Sequence, residues 1–171
     1  GRFITDFLKV DRDEARRVQK IYFRQYGLTM RGLMIHHGLD PARYFDQMQP
    51  MDLEDIDPDP GLAEAIRRLN GRKIIYTNAS IRHAAMVLER LGMAAAFDAI
   101  FDIAAADYGP KPSLDAYRAL CRIHDIAPAR AVMIDAIARN LVPAAEIGMT
   151  TVWLKTDAEW ARSVADTDHI H

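Results

Sequence analysis

Hydrophobic and polar positions divide the chain into two stretches of different period. Between Asp11 and Gly27, apolar residues fall at helical spacing (Val18, Ile21, Tyr22, Tyr26). Asp11 with Glu14 three residues on resembles a capping box, and Gly27 marks the stop. A second helix is expected from Thr29 to Gly38, and a third from Asp40, with Pro41 in the first-turn position where its missing N–H does no harm. The segments Arg31 to His37 and Tyr44 to Met48 carry enough apolar positions to pack on the first helix as a small bundle. The acidic, proline-containing run from Pro50 to Gly61 reads as a linker.

Beyond the linker, helical stretches alternate with short apolar runs. Helices are expected at Leu62 to Leu69, Ile81 to Leu91, Leu114 to Ile123 with Ser113 as cap, and Arg139 to Ile147. Strands are expected at Lys73 to Thr77, Ala99 to Ile103, Ala131 to Asp135 and Thr150 to Leu154. Strands separated by helices need crossover connections, which predicts a parallel sheet covered on both faces. The fold class is α/β, with a helical region over residues 1–55 and an α/β region over 56–171.

Composition narrows the chemistry only by exclusion. Of 171 residues, 50 % are apolar and 27 % charged, and the net charge is −2, so no strong field draws nucleic acid or anionic lipid. A lone Cys121 cannot form an internal disulfide, and no apolar run is long enough to span a bilayer. A cytoplasmic location is the expectation. Basic residues are mostly arginine, so each lysine draws attention.

Ligands of a parallel sheet sit beyond the carboxyl ends of its strands, and three polar groups stand there. Thr77 ends the first strand and opens Thr77-Asn78-Ala79-Ser80 ahead of a helix: a phosphate cradle, or a set of helix caps. Lys111 stands between Pro110 and Pro112 after the second strand, which fixes an ammonium group or leaves a solvated loop residue. Asp135 ends the third strand and faces a metal, a cationic partner or the next helix.

Taken in chain order, these residues resemble the haloacid dehalogenase (HAD) superfamily, and within it the pyrimidine 5′-nucleotidase group. The matching segments are Ile75-Tyr76-Thr77-Asn78-Ala79, Lys111-Pro112, and Asp135 with Ala138-Arg139-Asn140-Leu141. In the helical region, Tyr26-Gly27-Leu28-Thr29 with Arg31-Gly32-Leu33 resembles that group's cap. The resemblance implies a three-layer Rossmann-like core with a small helical cap and a Mg²⁺-dependent phosphomonoester hydrolase working through an aspartyl-phosphate. Its substrate would be a small phosphorylated metabolite, a pyrimidine nucleoside 5′-monophosphate. Thr77 and Asn78 would hold phosphoryl oxygens, Lys111 would supply positive charge, and Asp135 would serve the metal.

Two departures accompany the resemblance. No apolar strand ending in Asp-x-Asp-x-Thr occurs, so the nucleophile and its central strand are expected ahead of Gly1, and the end near Asp168-His169-Ile170-His171 resembles the start of a further strand. Ala136 stands where relatives carry a second acid that commonly binds Mg²⁺. A Mg²⁺-free haloacid dehalogenase and a phosphate-binding relative without activity are the alternatives. His36 and His37 point in different directions on a helix and are read as ordinary cap residues, His83 and His124 as surface or boundary positions, and Cys121 as packing on the apolar side of its helix with Tyr117 and Leu120. Met30, Met34, Met48 and Met51 are expected between cap and core, with Tyr22, Tyr26 or Arg31 as candidate contacts for a substrate base.

Overall fold

The structure is a computed structural model, and it describes residues 2–47 and 53–156. Four helices come first: α1 (Arg2–Leu8), α2 (Arg12–Tyr26), α3 (Thr29–His37) and α4 (Pro41–Gln47). They are followed by α5 (Pro60–Arg68), β1 (Ile74–Tyr76), α6 (Ile81–Arg90), β2 (Ala99–Phe101), α7 (Leu114–Ile123), β3 (Val132–Asp135), α8 (Ala138–Glu146) and β4 (Thr150–Trp153). The chain divides into two compact units, Gly1–Tyr108 and Gly109–His171.

Local chemistry explains the boundaries. The Asp11 carboxylate accepts the backbone N–H groups of Asp13 and Glu14 at 3.0 and 2.8 Å, satisfying two donors that the first turn of α2 leaves open. Gly27 ends α2 in the left-handed region at φ 73°, a conformation glycine adopts without the Cβ penalty. Asp59 caps α5, where Pro60 takes a first-turn position, and the Ser80 hydroxyl accepts the His83 N–H at the start of α6. Ser113 begins α7 as expected, without a side-chain cap bond.

The first unit joins the helical region to a parallel β1–β2 pair, in which Ile74 faces Ala99 and Tyr76 faces Phe101. Its helical core buries Ile4, Ala15, Met30, Leu33 and Leu39, and one residue from beyond β2, Ile103, is fully buried among them. Phe3, Phe7, Val18, Tyr22 and Tyr108 pack around this cluster. Of the methionines expected between cap and core, Met30 is buried in this helical cluster and Met34 packs against it. Met48 and Met51 lie outside the described residues, as does Asp168–His171.

The second unit holds a parallel β3–β4 pair joined by α8, with Val132 opposite Thr150 and Asp135 opposite Trp153. Among the described residues the two faces of this pair are covered unequally. Side chains alternate along a strand, so Val132 and Ile134 share one face, and they are 59 % and 47 % exposed. Among the described residues, the helices cover the other face, where Thr151 is buried opposite Met133.

Candidate active site

The polar residues of interest lie at the carboxyl ends of strands in each unit, and each set is built by its own local interactions. In the first unit Thr77 follows β1, and its N–H donates to the Phe101 carbonyl at 3.0 Å, extending the ladder by one residue. Its hydroxyl oxygen accepts the Ala79 N–H at 3.0 Å, closing a tight turn before Ser80. The hydroxyl proton remains available for donation.

A buried carboxylate that the sequence reading did not single out, Asp102, holds this turn from the neighbouring strand end. It accepts the Ile81 N–H at 2.8 Å and the Ala105 N–H at 2.9 Å. The Ile103 N–H reaches the Ala79 carbonyl at 3.2 Å. Its signal in the sequence was a charged residue directly after an apolar strand, at the same kind of position that drew attention to Asp135.

In the second unit Lys111 and Asp135, far apart in sequence, form an ion pair at 2.7 Å whose side chains are only 14 % and 9 % exposed. Asp135 accepts from three groups. One carboxylate oxygen takes the Lys111 ammonium and the Asn140 amide at 3.2 Å, while the other takes the Ile137 N–H at 2.8 Å and the same amide at 3.3 Å. Asn140 is buried on the first turns of α8, and its backbone carbonyl accepts the hydroxyl of the fully buried Tyr117 on α7. Lys111, Asp135, Asn140 and Tyr117 therefore form one connected polar chain. Removing one member leaves a desolvated partner, which is why buried networks of this kind hold their geometry. The sequence reading placed Asn140 within a motif segment without giving it a role, and it took Tyr117 only as part of the apolar side of its helix, beside Cys121 and Leu120. A polar residue within the apolar stripe formed by Ala138, Leu141 and Ala144 was the available signal.

Mg²⁺ does not fit the donors that these residues offer. It binds near-octahedrally through several hard oxygen ligands, and the one carboxylate at this place, Asp135, already accepts the Lys111 ammonium at 2.7 Å, the Ile137 N–H and the Asn140 amide. Residue 136 contributes a methyl group and a backbone carbonyl, and that carbonyl accepts the Trp153 indole N–H at 3.1 Å. Among the described residues no group of three or more His, Cys, Asp or Glu side chains is arranged to hold a metal ion.

His36, His37 and Cys121 take structural places. Tyr22 donates to or accepts from His37 at 2.8 Å, Tyr26 pairs with His36, and the Tyr22 and His36 rings stack with centroids 5.3 Å apart. His36 and His37 thus tie α3 to α2. Cys121 is half-buried, and burial pushes its thiol pKa up, which opposes a nucleophilic role.

A family model described as a haloacid dehalogenase-like hydrolase matches residues 10–148. The chain belongs to that family. Phosphate metabolism protein 8 of Saccharomyces cerevisiae is 30 % identical to this chain over 103 residues, covering 54 % of the chain and 32 % of the yeast protein. The chain therefore spans about a third of the length of that curated relative. Among solved structures, the L-2-haloacid dehalogenase from Xanthobacter autotrophicus with covalently bound chloropropionic acid superposes with a TM-score of 0.54 at 19 % identity, covering 80 % of this chain and 57 % of that one. The Unknown transcript 4 protein of Saccharomyces cerevisiae gives 0.53 at 16 % identity, over 88 % and 76 %. At these identities the structural likeness establishes the fold of this haloacid dehalogenase-like hydrolase, an α/β Rossmann-like core, and leaves its substrate to its own site. Among the described residues no helix is long and apolar enough to cross a membrane.

Proposed function

We propose that this member of the haloacid dehalogenase-like hydrolases acts on small phosphomonoesters, with pyrimidine nucleoside 5′-monophosphates as the substrate class. The observation that carries the reading is the Lys111 ammonium, held at 2.7 Å by a buried Asp135 that is itself held by Asn140 and the Ile137 N–H. A phosphate dianion repels an attacking carboxylate, so hydrolysis needs a fixed cation and oriented donors around the phosphoryl oxygens. Lys111 supplies the cation. Thr77 donates its hydroxyl proton, Asn78 adds its backbone N–H, and Asp135 keeps the ammonium in one place. Thr77 and Asn78 in the first unit and Lys111 in the second are each assigned to phosphoryl oxygens because ligands of parallel strands sit beyond the strands' carboxyl ends. The name of the curated yeast relative points the same way.

The family resemblance assigns the attack on phosphorus to an aspartate that none of these 171 residues matches, so only binding, charge neutralisation and orientation are derived from this chain. The nucleotide preference rests on the cap segment from Tyr26 to Leu33.

A second reading, metal-free cleavage of a carbon–halogen bond, is favoured by one observation: the Asp135 carboxylate is filled by the Lys111 ammonium and by amide donors, and Ala136 adds no further acid. The two readings separate in one assay of the whole protein, which measures phosphate released from uridine and cytidine 5′-monophosphates against chloride released from 2-chloropropionate. Phosphate release abolished by Lys111→Met supports the proposal. Chloride release without phosphate release overturns it.

A further inference from the structure

The loop that follows β2 belongs to two places in the first unit at once. Its Asp102 carboxylate and Ile103 N–H hold the turn that carries Thr77, through Ile81 at 2.8 Å and Ala79 at 3.2 Å. The Ile103 side chain points the other way, fully buried in the helical core among Ile4, Ala15, Met30, Leu33 and Leu39. Five residues later Tyr108 packs on the same core. The loop is closed on itself: the Tyr108 N–H returns to the Ile103 carbonyl at 2.8 Å, Ala106 reaches the Asp102 carbonyl, and Ala105 reaches the Asp102 carboxylate. Asp107 and Tyr108 both lie in the left-handed region at φ 49° and 55°, which non-glycine residues enter only when their surroundings fix them.

We propose that loop 102–108 is a mechanical link that makes the Thr77 turn sensitive to the packing of the helical cap. Adjacent backbone and side-chain bonds of one short, internally bonded loop cannot follow the cap and stay with the turn independently. A shift of α2 or α3 that moves Met30 or Leu33 displaces Ile103, and with it the hydrogen bonds to Ala79 and Ile81. A substrate seated against the cap would thereby adjust the donors that hold its phosphate. The physical requirement for such coupling is a packed, contiguous path, which dense interiors transmit because they do not deform continuously.

This inference rests on the reading of Thr77 as a phosphate ligand for its functional meaning, while the coupling itself is measurable without activity. Amide hydrogen exchange followed by NMR on the intact chain reads it residue by residue. Leu33→Ala and Ile103→Ala each loosen one side of the contact. Exchange at Ala79 and Ile81 is expected to accelerate at least about tenfold in both variants, while Leu154, whose N–H bonds to the Asp135 carbonyl in the other unit, keeps its rate. Ile103→Val, a smaller deletion that leaves the fold intact, is expected to give the same pattern at lower amplitude. Faster exchange confined to the cap, with Ala79 and Ile81 unchanged, overturns the proposal, as does equal acceleration at Leu154, which reports general loosening. Thr77→Val in a phosphate-release assay tests the underlying reading separately, since turnover unaffected by that change removes the phosphate role without touching the exchange result.

Discussion

Asp135 illustrates how much one side chain's role depends on its neighbours. A carboxylate at a strand end suits a metal, a cation or a helix cap, and the sequence left all three open. The structure gives it a cation and a backbone N–H together, and the missing acid at position 136 leaves no pair of carboxylates for Mg²⁺. Ala136→Asp therefore makes a defined change. Millimolar Mg²⁺ is expected to raise the thermal midpoint of that variant, because a ligand bound only by the folded state stabilises it, and to leave the wild-type midpoint unchanged. Differential scanning calorimetry with and without the ion checks this. Cys121 supplies a second residue-level expectation. Burial raises its thiol pKa above the ordinary range near 8.5, so the folded state holds the proton more tightly than the unfolded state does. Any stability linked to this group is present below that pH and declines as pH rises through the raised value. Iodoacetamide should alkylate Cys121 more slowly in the native protein than in urea at about pH 8.5, with the gap narrowing as pH increases.

At the scale of elements, the pattern of apolar positions located nearly every helix and strand to within a residue or two. Caps and breakers such as Asp11, Gly27, Pro41 and Ser80 act over a few residues and are visible in the order of amino acids. What the pattern did not contain was contact between elements. Gly32 shows this. A Cβ at position 32 would stand 2.3 Å from Cγ of Tyr22, so α3 lies directly against that ring. Helix propensity alone favours Gly32→Ala by about 1 kcal/mol. Overpacking of a tight contact costs about 1–3 kcal/mol. The contact involves the stiff base of a ring that also pairs with His37 and stacks on His36, so it cannot swing aside cheaply. Net destabilisation of up to about 2 kcal/mol is expected in urea unfolding, against the sign of the propensity scale. A stabilised variant would show that the α2–α3 contact is looser than described.

For the whole molecule, the α/β class and the parallel pairing followed from alternating helices and short apolar runs. The family followed from Thr77, Lys111 and Asp135 in order, and the match over residues 10–148 establishes it. Two features of the assembled chain were not legible. The exposure of Val132 and Ile134 depends on which elements cover a strand face, and a run of apolar residues reads the same whether one face or both are buried. The dual role of loop 102–108 was hidden because Ile103 reads as the end of a strand, whereas the strand stops at Phe101 and Ile103 turns into the helical core. The same long-range logic governs the candidate site, where Asp135 matters through what it holds. The most direct measurement is a double-mutant cycle on kcat/KM for phosphate release by the whole protein, using Lys111→Met, Asp135→Asn and the pair. If Asp135 acts by fixing the ammonium, Lys111→Met lowers kcat/KM by at least about 100-fold and the double variant is no worse than Lys111→Met alone. Losses that multiply, or a Lys111→Met enzyme with wild-type turnover, would contradict the account.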